Sequence, residues 1–106
     1  MTAAKLGELL DDAAAELEDT ERSAAADGSS VEWSIAGVTF AAISGGRAEF
    51  RLDPMVAKAA LRTPDTAESG RGTDWVAFSP SELDQHAIDR ATAWLASAWR
   101  RADGES

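Results

Sequence analysis

Apolar and polar positions along the first quarter of the chain repeat with the period of a helix. One stripe of apolar residues recurs at spacings of three and four, and acidic residues fill the opposite face. The stripe consists of Leu6, Leu9, Leu10, Ala13, Leu17 and Ala24. Gly28, Ser29 and Ser30 then provide a flexible turn. The pattern predicts an acidic amphipathic helix over residues 3–25.

The period changes to a strict alternation in the next segment, residues 31–52. Gly37 and the run Ser44–Gly46 divide this segment into three stretches in which apolar residues occupy every second position. The last stretch is the clearest, because Arg47, Glu49 and Arg51 alternate with apolar neighbours. The alternation predicts a three-stranded antiparallel β-meander with one buried face and one open face.

Two helix starts are indicated in the second half of the chain. Asp53-Pro54 combines an N-cap acceptor with proline at the first helical position, which predicts a short helix over 54–62. The sequence SPSE at 79–82 has the spacing of a capping box. It predicts a closing helix over 80–102, whose apolar face includes Leu95.

Between these helices, the polar and glycine-rich composition predicts a loop over residues 64–73, and the apolar run that follows predicts a fourth strand over residues 74–79. The element order is then α-β-β-β-α-β-α over a single domain, residues 1–106. The fold class that satisfies this order is α+β. We expect a four-stranded, mostly antiparallel sheet with two long helices packed on one face and one short helix.

Composition and charge exclude several classes of function. The chain has no cysteine, so disulfides, thiolate catalysis and cysteine-bound zinc are excluded. The formal net charge is −9, and residues 1–32 carry nine acidic and two basic residues. This balance disfavours non-specific binding to nucleic acid, which needs clustered lysine and arginine. No apolar segment reaches the length of a signal peptide or a membrane span, so we expect a cytoplasmic protein without membrane contact.

The sequence contains no clear catalytic constellation. His86 is the only histidine and has no partner that the sequence identifies, so a solvated helix residue is the expected role. The acidic clusters lack histidine and a calcium-binding loop pattern, so neither a metal site nor a cofactor is predicted. An enzyme that uses Asp74, Glu49 or His86 as a general base is the remaining catalytic alternative.

The stretch SGRGTDWV at residues 69–76 is the candidate binding loop. It lacks the Gly-Lys-Ser/Thr ending of a P-loop and leads into a strand instead of a helix. Trp75 lies in the opposite strand phase to Val76, so it faces the open sheet face if Val76 faces the core. Arg47, Arg51, Arg71 and Trp75 are therefore the predicted binding residues. The alternative is a flexible connector, in which the glycines only provide freedom.

Four segments carry a resemblance to a known family. The sequences WSIAGVTFAAI, a charged strand ending in RL, DWVAF, and LASAWRRA resemble the YjbR/MmcQ group of small bacterial proteins over residues 31 to about 102. The resemblance implies a compact α+β domain and DNA binding, by likeness to double-wing transcription factors. Val38 departs from the family pattern, which has a basic residue at that position, and this departure weakens the implied contact with DNA.

These observations predict a non-enzymatic binding module that acts as a monomer. Its open sheet face would hold a protein or a small anionic ligand. DNA binding is the first alternative, disfavoured by the net charge, and a carboxylate- or histidine-dependent enzyme is the second. A mainly structural role is the third.

Overall fold

The computed structural model describes the backbone of residues 2–105 and the side chains of residues 5–105. Three helices and six strands follow one another along the chain. They are α1 Thr2–Ala15, β1 Thr20–Ala24, β2 Ser30–Ile35, β3 Val38–Ser44, β4 Arg47–Arg51, α2 Pro54–Ala60, β5 Thr66–Glu68, β6 Trp75–Phe78 and α3 Gln85–Glu105.

The strands form one antiparallel sheet in the order β1-β2-β3-β4-β6-β5. Four consecutive strands are therefore neighbours, and only the last two exchange places. The register between β2 and β3 shifts by one residue after Trp33, which leaves Phe40 as the extra residue of a β-bulge. Both Phe40 and the following Ala41 are fully buried. The bulge thus keeps two consecutive residues of β3 within the hydrophobic interior.

The core lies between one face of the sheet and the helices. Its largest side chains are Trp33, Phe40, Phe50, Phe78, Leu6, Leu10, Leu52, Leu95 and Val76. Trp94 of α3 packs edge-on against Phe78, with ring centroids 5.2 Å apart, and tilted against Phe50 at 6.2 Å. Small alanines on α3 allow that helix to approach the sheet closely. No helix of residues 2–105 packs on the opposite face of the sheet, which is called the open face below.

The prediction of one acidic helix over residues 3–25 is wrong in its second half. Helix α1 ends at Ala15, Asp19 adopts a left-handed φ of 60°, and β1 follows. The apolar stripe is weak beyond Leu17, where only alanine continues it. All five β1 residues pair with β2. This pairing joins two separate segments of the chain, so the spacing of apolar residues within one segment does not reveal it.

The predicted four-stranded sheet is also wrong, because the sheet has six strands. One additional strand is β1, and the other is β5, a three-residue segment inside the predicted 64–73 loop. A strand of three residues is too short to show an alternation. The α+β class and the three-stranded meander over 31–52 are confirmed, and Gly45-Gly46, within the dividing run Ser44–Gly46, joins β3 to β4.

The two predicted helix starts have different outcomes. Asp53 caps α2 as predicted, since its Oδ1 accepts a hydrogen bond from the backbone N–H of Met55 at 3.0 Å. The prediction of a helix start with a capping box at residues 79–82 is wrong. Helix α3 begins at Gln85, and Asp84 Oδ1 accepts from the backbone N–H of Ala87 at 2.9 Å. Asp84 provides the same chemistry as serine at an N-cap, and proline alone did not start the helix.

Candidate functional site

Alternation along β4 and β6 places the candidate residues on the open face. Ala48 and Phe50 are buried in the core, so Arg47, Glu49 and Arg51 project from the opposite side. Trp75 lies directly opposite Arg51 in the β4–β6 register. Its neighbour Val76 points into the core, which puts the indole of Trp75 on the open face.

The loop between β5 and β6 folds back over this tryptophan. The backbone N–H of Ser69 donates to the Trp75 carbonyl at 3.3 Å, and the Trp75 N–H donates to the Gly72 carbonyl at 3.2 Å. The guanidinium Cζ of Arg71 lies 5.2 Å from the centroid of the indole ring. Trp75 is 9% exposed as a result. A Cβ at Gly72 would lie 3.2 Å from Trp75 Cδ1, so glycine permits this close return of the chain.

Two carboxylates and a serine hold Arg71 in place. Arg71 Nε donates to Glu49 Oε1 at 3.0 Å, and Nη2 donates to Glu32 Oε2 at 2.9 Å. The buried Ser69 hydroxyl donates to the other oxygen of Glu49 and accepts from the Arg71 backbone N–H at 3.2 Å. We call Glu32, Glu49, Ser69, Arg71 and Trp75 the Arg71–Trp75 patch.

The same contacts fix the charge states within the patch. Burial alone would raise the pKa of Glu49, but hydrogen bonds from Ser69 and Arg71 outweigh it and lower that pKa from its ordinary value. Desolvation likewise opposes the charged form of Arg71, and the bonds to Glu49 and Glu32 still raise the pKa of its guanidinium. Glu49 is therefore a carboxylate and Arg71 a cation at neutral pH.

Arg51 belongs to a separate cluster at the C-terminal end of α3. Its guanidinium contacts Glu105 and lies 3.5 Å from Asp74 Oδ2. Arg101 contacts the same Asp74 oxygen at 2.9 Å and donates to the backbone carbonyl of Leu52. This cluster ties the end of α3 to the ends of β4 and β6.

The four predicted binding residues thus separate into three groups. Arg71 and Trp75 form one unit, and Arg51 joins the α3 cluster. Arg47 is exposed at the far end of β4, and residues 5–105 provide no ion-pair partner for it. Sequence reasoning did not identify Glu32 or Ser69. Glu32 could have been found from its position in the polar phase of β2, whereas the position of Ser69 depends on the loop conformation.

Charge on this side of the molecule is balanced. The arginines are Arg47, Arg51, Arg71 and Arg101, and the acidic side chains facing them are Glu32, Glu49, Asp74 and Glu105. Phosphate-binding sites and DNA-binding surfaces need an excess of cations. The open face provides no such excess.

The three candidates for a general base are Asp74, Glu49 and His86, and each has contacts or exposure that can be compared with that role. Asp74 is held by two arginines, and the lowered pKa of Glu49 makes its carboxylate a weaker base. His86 is exposed on the first turn of α3. Across the side chains that the structure describes, no group of three His, Cys, Asp or Glu residues could hold a metal ion.

Comparison of the chain with known protein families, curated proteins and solved structures finds no match. The resemblance to the YjbR/MmcQ group therefore stays a prediction. Among residues 2–105, no helix has both the length and the apolar character needed to cross a membrane.

Proposed function

We propose that the protein is a non-enzymatic binding module that holds a protein partner on the open face, centred on the Arg71–Trp75 patch. The observation that carries the proposal is the guanidinium of Arg71, which stacks on an aromatic ring and is fixed in orientation by two carboxylates. The expectations that it acts as a monomer and in the cytoplasm belong to the same proposal.

Preorganisation of Arg71 is the main support. A free arginine side chain loses much rotamer freedom when a partner binds it, which reduces affinity. In this patch two nitrogens of the guanidinium are already bonded, and the third, Nη1, has no partner within the described residues. Arg71 remains 34% exposed. The free nitrogen suits a backbone carbonyl or carboxylate of a partner protein.

The residue types of the patch also favour a protein partner. Arginine and tryptophan are enriched among the residues that dominate protein–protein binding energy. Ion pairs at the rim of such a surface give specificity by matching the charges of the partner. The balanced charge of the open face fits this use better than the binding of a phosphate or of DNA.

Nuclear magnetic resonance titrations of the labelled protein test the proposal. The probes are inorganic phosphate, a 20-base-pair DNA duplex at about 20 mM salt, where phosphate contacts are strongest, and binders selected from a displayed library of protein fragments. We expect selected fragments to shift the Arg71 Nε–H and Trp75 indole signals, and phosphate and duplex to leave them unchanged.

Substitutions establish whether the patch itself is responsible. Arg71→Ala should weaken binding of the selected fragments at least ten-fold. Arg71→Lys should not restore binding, because an ammonium lacks the planar set of donors that a guanidinium provides. Lys58→Ala, on the exposed side of α2, is the matched control. Shifts produced by duplex or phosphate at micromolar concentration, or selected fragments that all bind elsewhere, would overturn the proposal.

A further inference from the structure

Strand β1 leaves one edge of the sheet open. It pairs with β2 alone, and the backbone N–H of Ala25 donates to the Ser30 carbonyl at 2.9 Å. In an antiparallel ladder the direction of backbone groups alternates from residue to residue. The N–H and C=O groups of Thr20, Arg22 and Ala24 therefore point away from the sheet, and none is hydrogen-bonded within residues 2–105.

Most features that commonly close a sheet edge are missing from β1. Proteins protect edges with charged side chains, proline, bulges, very short strands or a covering segment. Of these, β1 has only the charged side chains of Glu21 and Arg22. The five residues of β1 contain no proline and pair with β2 in continuous register, and residues 21–24 are exposed. The opposite edge, β5, has only three residues. The β1 edge is the longer template for an added strand.

Recesses adjoin this edge on both sides of the sheet. On the helix side, Ala14, Ala15 and Trp33 line a small recess together with the ion pair of Asp11 and Arg22. The hydroxyl of Thr20 is buried there without a partner among the described residues. A second recess lies at the far end of β1 and is lined in part by Ala25. Side chains of an added strand alternate between the two faces, so residues a few positions apart on that strand would reach the two recesses.

Charge around the edge selects the partner. A hollow of about 450 Å³ at the start of β1 is lined in part by three acidic residues, Asp19, Glu21 and Asp103. Residues 1–32 as a whole carry a net charge of −7. A second copy of the chain would bring the same negative charge to the edge, which repels it. An extended segment rich in lysine or arginine is complementary.

We propose that the β1 edge binds an extended, basic segment of a partner protein by strand addition. The proposed site does not involve Arg71 or Trp75; it meets the Arg71–Trp75 patch at Glu32, which lines the second recess and pairs with Arg71. Backbone bonds to Thr20, Arg22 and Ala24 provide the affinity. The acidic hollow selects basic side chains, and the Ala14, Ala15 and Trp33 surface of the helix-side recess selects apolar side chains between them.

An eight-residue peptide of alternating valine and lysine is the probe, with a valine–glutamate peptide of equal length as the charge control. Hydrogen exchange of the full chain provides the readout. We expect the lysine peptide to slow exchange of the Thr20, Arg22 and Ala24 amides at least ten-fold, while the glutamate peptide leaves them unchanged. Equal effects of the two peptides, or no protection of these amides, would overturn the proposal.

Two alanine-to-proline substitutions distinguish the loss of an edge hydrogen bond from the general effects of introducing proline. Ala24→Pro removes an outward N–H and leaves the bonds to β2 intact, so binding should fall at least ten-fold. Ala26→Pro occupies the second position of the turn closed by Gly28 N–H and the Ala25 carbonyl, where proline fits, and should bind like the original chain. Equal binding by both variants contradicts strand addition.

A third variant tests the charge preference without changing the backbone. Glu21→Lys, at an exposed position, should weaken binding of the lysine peptide and strengthen binding of the glutamate peptide. Self-association is the competing outcome. If the three amides become protected without peptide as the protein concentration rises, the occupant is a second copy and the proposal fails.

Discussion

The guanidinium of Arg71 lies over the indole ring of Trp75, with Cζ 5.2 Å from the ring centroid. The contact joins a loop residue to the first residue of β6 and covers the aromatic ring on the open face. The same guanidinium contacts Glu49 of β4 and Glu32 of β2. One side chain thus links the loop to three strands, and its removal has consequences for stability as well as for binding.

Replacement of Arg71 by alanine should lower the free energy of unfolding by about 1 kcal/mol, the sum of a stacked cation and partly exposed ion pairs. Urea denaturation followed by circular dichroism measures the change. Arg47→Ala is the matched control, because Arg47 is on the same face without an ion pair; it should change stability by less than about 0.5 kcal/mol. Equal effects of the two substitutions would show that the stacked geometry contributes nothing.

Glu49 should contribute to stability in a pH-dependent way. Its pKa in the folded protein is lowered from 4.5, so its stabilising contribution is complete above the unfolded-state pKa and is lost as pH falls through the folded-state pKa. Glu49→Gln should therefore be less stable than the original chain at pH 7, by about 1 kcal/mol. The difference should become smaller as the pH falls below the unfolded-state pKa.

Denaturation midpoints of both proteins at pH 7, 5, 4 and 3 measure this dependence. The comparison cancels the other acidic residues whose pKa is lowered, such as Asp27 and Glu105, because both proteins retain them. A difference that stays constant from pH 7 to pH 3 would contradict the role of the Glu49 carboxylate.

The sequence predicted those parts of the fold that depend on local patterns. Alternation in residues 47–52 correctly assigned the faces of β4, and Asp53-Pro54 correctly placed the start of α2. Strand β1 was missed because its residues are polar and small, and it exists through pairing with β2. Cap chemistry alone was ambiguous, since both Ser79 and Asp84 can accept hydrogen bonds from a helix N-terminus.

The candidate site likewise combines features that local sequence patterns predict with features that depend on the folded chain. The phase of Trp75 relative to Val76 predicted an indole on the open face only if Val76 faces the core, and the buried position of Val76 meets that condition. The position of Arg71 above that ring depends on the return of the 69–74 loop, which involves Ser69 and Gly72 in contacts that no periodicity encodes. Pairing of the arginines with carboxylates likewise depends on strand order, so the charge balance of the face emerges only from the fold.

Asp74 and Arg101 should show measurable coupling in stability. Their side chains are in contact at 2.9 Å and both are about a quarter exposed. A double-mutant cycle of Asp74→Ala and Arg101→Ala should give a coupling of about 0.5–1 kcal/mol, which falls in 1 M NaCl through screening. The Asp11–Arg22 pair, at 2.8 Å but more exposed, is the comparison and should give a smaller coupling. Additive effects at Asp74 and Arg101 would contradict the pairing.

Ala36 should be a site at which a substitution stabilises the protein. Ala36 and Gly37 form the two-residue connection between β2 and β3, with φ values of 50° and 81°. Left-handed backbone at both positions is the geometry of a type I′ turn, which favours Asn-Gly and is strained for alanine. Ala36→Asn should therefore raise the free energy of unfolding by about 0.5–1 kcal/mol.

Gly37→Ala is the matched change in the opposite direction. It should lower the free energy of unfolding by about 1 kcal/mol, because it places a Cβ on a left-handed residue, although no heavy atom beyond the adjoining residues lies within 4 Å of that Cβ. Urea denaturation of both variants at pH 7 measures the two effects. The open space around Gly37 means that any loss reflects backbone strain and not a clash. A neutral or destabilising Ala36→Asn would show that this hairpin does not hold both residues in the left-handed region.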